Sequence, residues 1–173
     1  MMAIYSFPPT QLLQPVGILH LARSDRAPYL AREAVSAWLG RAHPVTEITV
    51  LAASELVTNA VRYADTSRTG NSSGNGEGDG SQGSITLKLC QGADCLRLGV
   101  TDPGSSCSKP SAIPLQVPSL NAERGRGLAI VQALSRNRWG SFRLPVTGGR
   151  VVWCHLDLNP TPAQIEELFL APV

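Results

Sequence analysis

The chain has 173 residues, of which 43% are hydrophobic and 16% charged, with a net charge of +2. That length fits one domain able to bury about two-thirds of its unfolded surface, and the composition excludes a disordered or collagen-like chain. The small charge points to no partner, and the densest set of arginines (Arg124, Arg126, Arg136, Arg138, Arg143) is spread over what reads as a helix and a strand rather than gathered in one cluster, which argues against nucleic-acid binding. A strand is expected over residues 16–21, followed by a helix over residues 27–39 that Ser24 or Asp25 can cap and that Pro28 suits in its first turn. Gly40 and Pro44 break that helix, and a second one is expected over residues 45–63, apolar nearly all round its first half. Residues 65–83 carry almost no apolar side chain and many Gly and Ser, so they read as a flexible loop within the domain.

Beyond that loop, residues 84–91 alternate Ile85, Leu87 and Leu89 with polar positions, and a second strand over residues 95–101 follows the short turn Gly92-Ala93-Asp94, a hairpin spacing. Residues 103–121 are rich in Pro and Ser without periodicity and read as a long irregular loop beside a binding site. A third helix opens at about Gly125, and strands over residues 138–144 and 150–158 close the chain around Thr147-Gly148-Gly149, with a short helix after Pro162. The order βααββαββ predicts an α/β (α+β) two-layer sandwich, a mixed sheet covered on one face by helices. Residues 1–15 lack a signal-peptide pattern and no stretch is apolar enough to span a bilayer, so a cytoplasmic protein with no membrane attachment is expected. Of the four cysteines, Cys90 and Cys154 read as core thiols and Cys95 and Cys107 as surface thiols, with no zinc-ligand spacing among them.

Three short motifs carry chemistry. At about 100° per residue, Val50, Ala53, Val57, Ala60 and Val61 fall on one side of the second helix and Glu55, Asn59 and Arg62 on the other. A carboxylate and an amide four residues apart stand one above the other, able to act on one small ligand or one hydrated metal. Polar helix positions usually form a solvated face, but Ile48, Leu51 and Ala52 share this side, so Glu55 and Asn59 are expected to line a cavity. Next, the apolar strand ending Val100-Thr101-Asp102-Pro103-Gly104 places a carboxylate at a sheet end, with Gly104 permitting close approach of a flat ligand. By itself Asp-Pro-Gly is an ordinary turn. Last, Gly125-Arg126-Gly127-Leu128 opens a helix whose first backbone N–H groups are unpaired and whose glycines leave room for phosphate oxygens. A lone glycine pair there is often only a flexible joint.

The ordered set is specific. Glu55-Leu56-Val57-Thr58-Asn59-Ala60, Asp102-x-Gly104, Gly125-x-Gly127-Leu128, Trp139-Gly140 and Gly148-Gly149-Arg150-Val151-Val152-Trp153 together resemble the ATP-binding domain of anti-sigma-factor serine kinases. These form a small branch of the histidine-kinase-like (GHKL) ATPase group, and the resemblance covers residues 27–158. It implies a single GHKL (Bergerat-type) ATP-binding domain over residues 1–173, with ATP and Mg²⁺ as cofactors. It places the general base on Glu55, the Mg²⁺ ligand on Asn59 and the adenine acceptor on Asp102 with Gly104 beside it. The phosphates fall to Gly125, Arg126, Gly127 and Leu128, and residues 103–124 become the lid. Many relatives carry a threonine near adenine where this chain has Val151, which neither donates nor accepts, so a lower affinity is expected. No helix pair with a phosphoacceptor histidine is recognised before Ala27, and His20, His43 and His155 do not resemble one, which disfavours histidine autophosphorylation.

The first functional expectation is a serine/threonine protein kinase that phosphorylates a small antagonist protein of the anti-anti-sigma kind, with a sigma factor as a second partner. The resemblance also leaves room for a homodimer. The alternative is a non-catalytic, ATP-dependent module that uses the same pocket to control its grip on a protein.

Overall fold

A computed structural model describes residues 13–63, 83–103, 126–163 and 166. Along them run β1 (Gln14–Ala22), α1 (Ala27–Leu39), α2 (Thr46–Tyr63), β2 (Ser84–Gln91), β3 (Cys95–Asp102), α3 (Arg126–Leu134), β4 (Trp139–Arg143) and β5 (Arg150–Asp157). This is the expected order. The loop expected over residues 65–83 and the lid expected over residues 103–124 lie outside the described residues except for Gly83 and Pro103, as does Cys107. The short helix expected after Pro162 falls largely outside them as well.

Local chemistry accounts for the helix ends, with one correction. Neither Ser24 nor Asp25 caps α1 through its side chain: the N-cap is Arg26, without a side-chain cap bond. The chain enters through a turn in which the Ser24 carbonyl accepts the Ala27 N–H at 3.0 Å, and Pro28 has no N–H to satisfy. Gly40, at φ 77°, ends α1 with its N–H on the Ser36 carbonyl, a backbone conformation open to glycine. Thr46 then opens α2 and ties back to the Gly40 carbonyl through its hydroxyl at 2.7 Å.

The sheet order is β1-β2-β3-β5-β4, and every pairing is antiparallel. The two-layer α+β class is the expected one, but among the described residues the sheet contains no parallel pair where a mixed sheet was expected. The reason lies in the crossover through α3. It carries the chain from β3 to β4 in the same direction, and β5 then folds back between the two strands, so the parallel pair never forms.

Alternation along the strands builds the core. Ile85, Leu87, Leu89, Leu96, Leu98, Val100, Val152, Cys154 and Leu156 are buried beneath the helices, which contribute Ala31 and Val35 from α1, Leu56 and Val57 from α2, and Val131 and Leu134 from α3. Each large side chain of this set contributes about 1.5–3 kcal/mol by leaving water. At the β1 edge, a Cβ on Gly17 would fall 2.2 Å from the Trp38 ring, so the missing side chain lets the indole lie on the strand.

Cys90 and Cys154 are buried as expected, and burial pushes the Cys154 thiol up to about 12. Cys95 is buried too, which corrects the surface thiol expected there. The Gly92 turn folds back over its sulfur: a Cβ on Gly92 would stand 3.4 Å from Sγ. Among the described residues no helix is long and apolar enough to cross a membrane.

Candidate nucleotide-binding site

The core sets the orientation of α2. Ala52, Ala53, Leu56, Val57 and Ala60 are buried, while Glu55 and Asn59 are only partly so, one helical turn apart. Val50 and Val61, expected on the apolar back, are packed at its margin, and Leu51, expected to wall the polar side, is exposed. Arg23 Nε donates to the Val61 carbonyl at 3.1 Å and pins the last turn of the helix.

The start of α3 meets the polar front of α2. Gly127 stands so close to Glu55 that a Cβ there would lie 2.5 Å from Oε2 and 3.6 Å from the carboxyl carbon. The carboxylate therefore rests on the first turn of α3. Burial raises the Glu55 pKa above the ordinary glutamate value, and the Arg62 guanidinium opposes that shift in part. Asn59 Nδ2 is buried and finds no hydrogen-bond partner among the described residues. An orphaned amide costs about 1–3 kcal/mol, a cost that an ordered water, an ion or a ligand at this place relieves.

At the end of β3, Asp102 is 2% exposed. Arg150, its cross-strand neighbour at the start of β5, donates to Asp102 Oδ2 from Nε at 3.1 Å and from Nη2 at 2.9 Å. The glycines before Arg150 make this possible. Gly148, at φ 69°, turns the chain, and Gly149 passes so near β3 that a Cβ would stand 3.0 Å from the Asp102 carbonyl oxygen.

Glu55, Asn59 and Gly127 are thus brought together, and α2 packs against β3 as well as α3, so the element carrying Asp102 flanks the same helix. Arg126 is the first residue of α3. The Leu128 side chain enters the core, which leaves its backbone N–H in the first turn as its contribution to an anion site. Gly104 and Gly125 lie outside the described residues. Val151 pairs with Thr101 rather than with Asp102 and so lies on the opposite face of the sheet from the Asp102 side chain. The residue that meets Asp102 is Arg150. By residue type alone Arg150 and Gly149 are parts of a closing strand motif and no more. The signal was the run Gly-Gly-Arg, legible as a partner for Asp102 only once the strand register is known.

Residues 22–154 match the model of the histidine kinase-like ATPase domain. The chain belongs to that family, and the match takes in α2, Asp102 and α3 alike. No curated protein matches the chain.

Family membership implies ATP as the ligand, with Mg²⁺ its usual companion, and the residues present suit them. The orphaned Asn59 Nδ2 offers a donor to a phosphate oxygen, and the oxygen of the same amide is of the kind that ligates Mg²⁺. The glycine at position 127 keeps a helix start clear, and Asp102 offers acceptors at a sheet end. Among the described residues no cluster of three or more His, Cys, Asp or Glu forms a metal cage, so Mg²⁺ here would draw most of its ligands from phosphate oxygens and water. ATP supplies a transferable phosphoryl group, and the cation neutralises charge on it.

Proposed function

We propose that the chain is a serine/threonine protein kinase of the anti-sigma-factor type, working in the cytoplasm on a small antagonist protein, with a sigma factor as a second partner. The observation that carries this reading is Glu55. A carboxylate half withdrawn from water, set on the first turn of α3 and one turn from Asn59, has the raised pKa that suits a base taking the proton of an attacking hydroxyl. In this reading Asn59 holds Mg²⁺, Asp102 accepts the adenine amine, and the backbone at Gly127 and Leu128 borders the phosphates. Gly104, Gly125 and Arg126 complete the pocket by resemblance.

The test is transfer of radiolabelled phosphate from ATP to a serine-bearing antagonist protein. Glu55→Gln is expected to keep ATP affinity and to lower transfer by about 10²–10⁴-fold, the span for loss of a general base. ATP binding without transfer to any such protein would overturn the kinase reading in favour of an ATP-dependent binding module. Undiminished transfer by Glu55→Gln would remove Glu55 from the role of base.

A further inference from the structure

We propose that Arg150 is a positioning residue for the nucleotide base, locking the Asp102 carboxylate so that the pocket selects a 6-amino purine over a 6-oxo purine. This rests on the ATP reading above and names what sets its base selectivity. The register of β3 and β5 puts the two residues directly opposite each other. Both Nε and Nη2 of Arg150 donate to one and the same oxygen, Oδ2. A carboxylate held this way cannot turn about its Cβ–Cγ bond without breaking two charge-assisted hydrogen bonds, so the direction of Oδ1 is set before any base arrives. The pair is well withdrawn from water, with side-chain exposures of 1% for Asp102 and 16% for Arg150, so solvent screens it little.

Selectivity follows from what each partner can do. An ionised carboxylate only accepts hydrogen bonds, so it favours the 6-amino group of adenine and opposes the 6-oxo group of hypoxanthine or guanine. An arginine free to swing would donate to that 6-oxo group and erase the preference. Engagement of Nε and Nη2 on Oδ2 holds the guanidinium in place and stops that swing. Gly149 belongs to the same device, because a side chain there would crowd the Asp102 carbonyl where β5 meets β3. Lysine cannot replace the clamp: its ammonium is a point charge on a flexible stem without the planar fork.

The experiment measures ATP and ITP binding by calorimetry for the wild type and Arg150→Lys, with thermal melting of both proteins alongside. ITP differs from ATP only at the base, where hypoxanthine carries the 6-oxo group. The wild type is expected to prefer ATP by about tenfold or more, and Arg150→Lys to bring the ratio close to one while the protein remains folded. A lysine variant that weakens both nucleotides equally and keeps the ratio shows a merely structural role and overturns the proposal while the ATP reading stands. A wild type that binds no ATP overturns both.

A second measurement needs no variant. In arginine-labelled wild-type protein the Nε–Hε NMR signal of Arg150 is expected to persist and shift on ATP addition, and its loss to water exchange would show that the clamp opens and would overturn the proposal.

Discussion

Glu55 occupies the space that a side chain on residue 127 would need: a methyl group at Gly127 would stand 2.5 Å from Glu55 Oε2. The obstructing atom is the far end of a flexible side chain, so Gly127→Ala moves the carboxylate rather than the fold. Alanine also favours the helix by about 1 kcal/mol. The variant is expected to melt at the same or a higher temperature than the wild type and, on the kinase reading proposed above, to lose phosphoryl transfer by about tenfold or more, because in that reading Glu55 is the base and a displaced base is a poor one. Thermal melts and transfer assays on one preparation check this. A lowered melting temperature with full transfer would mean that the contact serves packing alone.

Asn59 gives the opposite pairing of stability and binding. Its buried Nδ2 has no partner among the described residues, so Asn59→Ala removes a desolvated polar group and places a better helix former in α2. The nucleotide-free protein is expected to gain about 1 kcal/mol in urea denaturation, and Mg²⁺-dependent ATP binding to be lost. Destabilisation by the substitution would show that the amide is satisfied in solution.

Glu55 should also leave a mark on the pH dependence of stability. Its folded-state pKa is raised, mainly by burial. The folded protein therefore holds that proton more tightly than the unfolded chain, and the resulting stability is full below the unfolded pKa of about 4.3 and is lost as pH rises through the raised folded value. Glu55→Gln cannot ionise. Its urea midpoint relative to the wild type is expected to rise as pH climbs above the unfolded value of about 4.3 and to level off once pH has passed the raised folded value. A flat difference across that range would contradict the burial of the carboxylate.

The Asp102–Arg150 pair predicts a double-mutant cycle. Asp102→Ala strands a mostly buried guanidinium and is expected to cost about 3 kcal/mol. Adding Arg150→Met removes the stranded charge and should recover most of that loss. Additive losses in urea denaturation, with no recovery, would show the two side chains to be uncoupled in solution.

Much of the framework was legible from residue patterns. Pro28 and Gly40 bracket α1 at the residues expected, because both act through backbone geometry that depends little on tertiary context. The alternation of Ile85, Leu87 and Leu89 marked the buried face of β2 for the same reason, as did the four-residue spacing of Glu55 and Asn59 for the polar front of α2. Strand direction was not legible, since it depends on β5 folding back between β3 and β4 rather than on any local signal. Arg150 escaped notice as the partner of Asp102 because 48 positions separate them and only the cross-strand register joins them. Cys95 lies on an otherwise open face and is covered by its own hairpin turn, which residue type alone does not announce.

The helix that carries Glu55 and Asn59 is also among the most enclosed elements of the fold, packed against α1, α3, β2 and β3. Amide hydrogens along α2 should therefore exchange with deuterium only when the whole domain opens, whereas those of the edge strands β1 and β4 exchange through local fraying. Heating would then abolish nucleotide binding at the temperature at which the domain itself unfolds, so residual binding serves as a direct count of folded molecules.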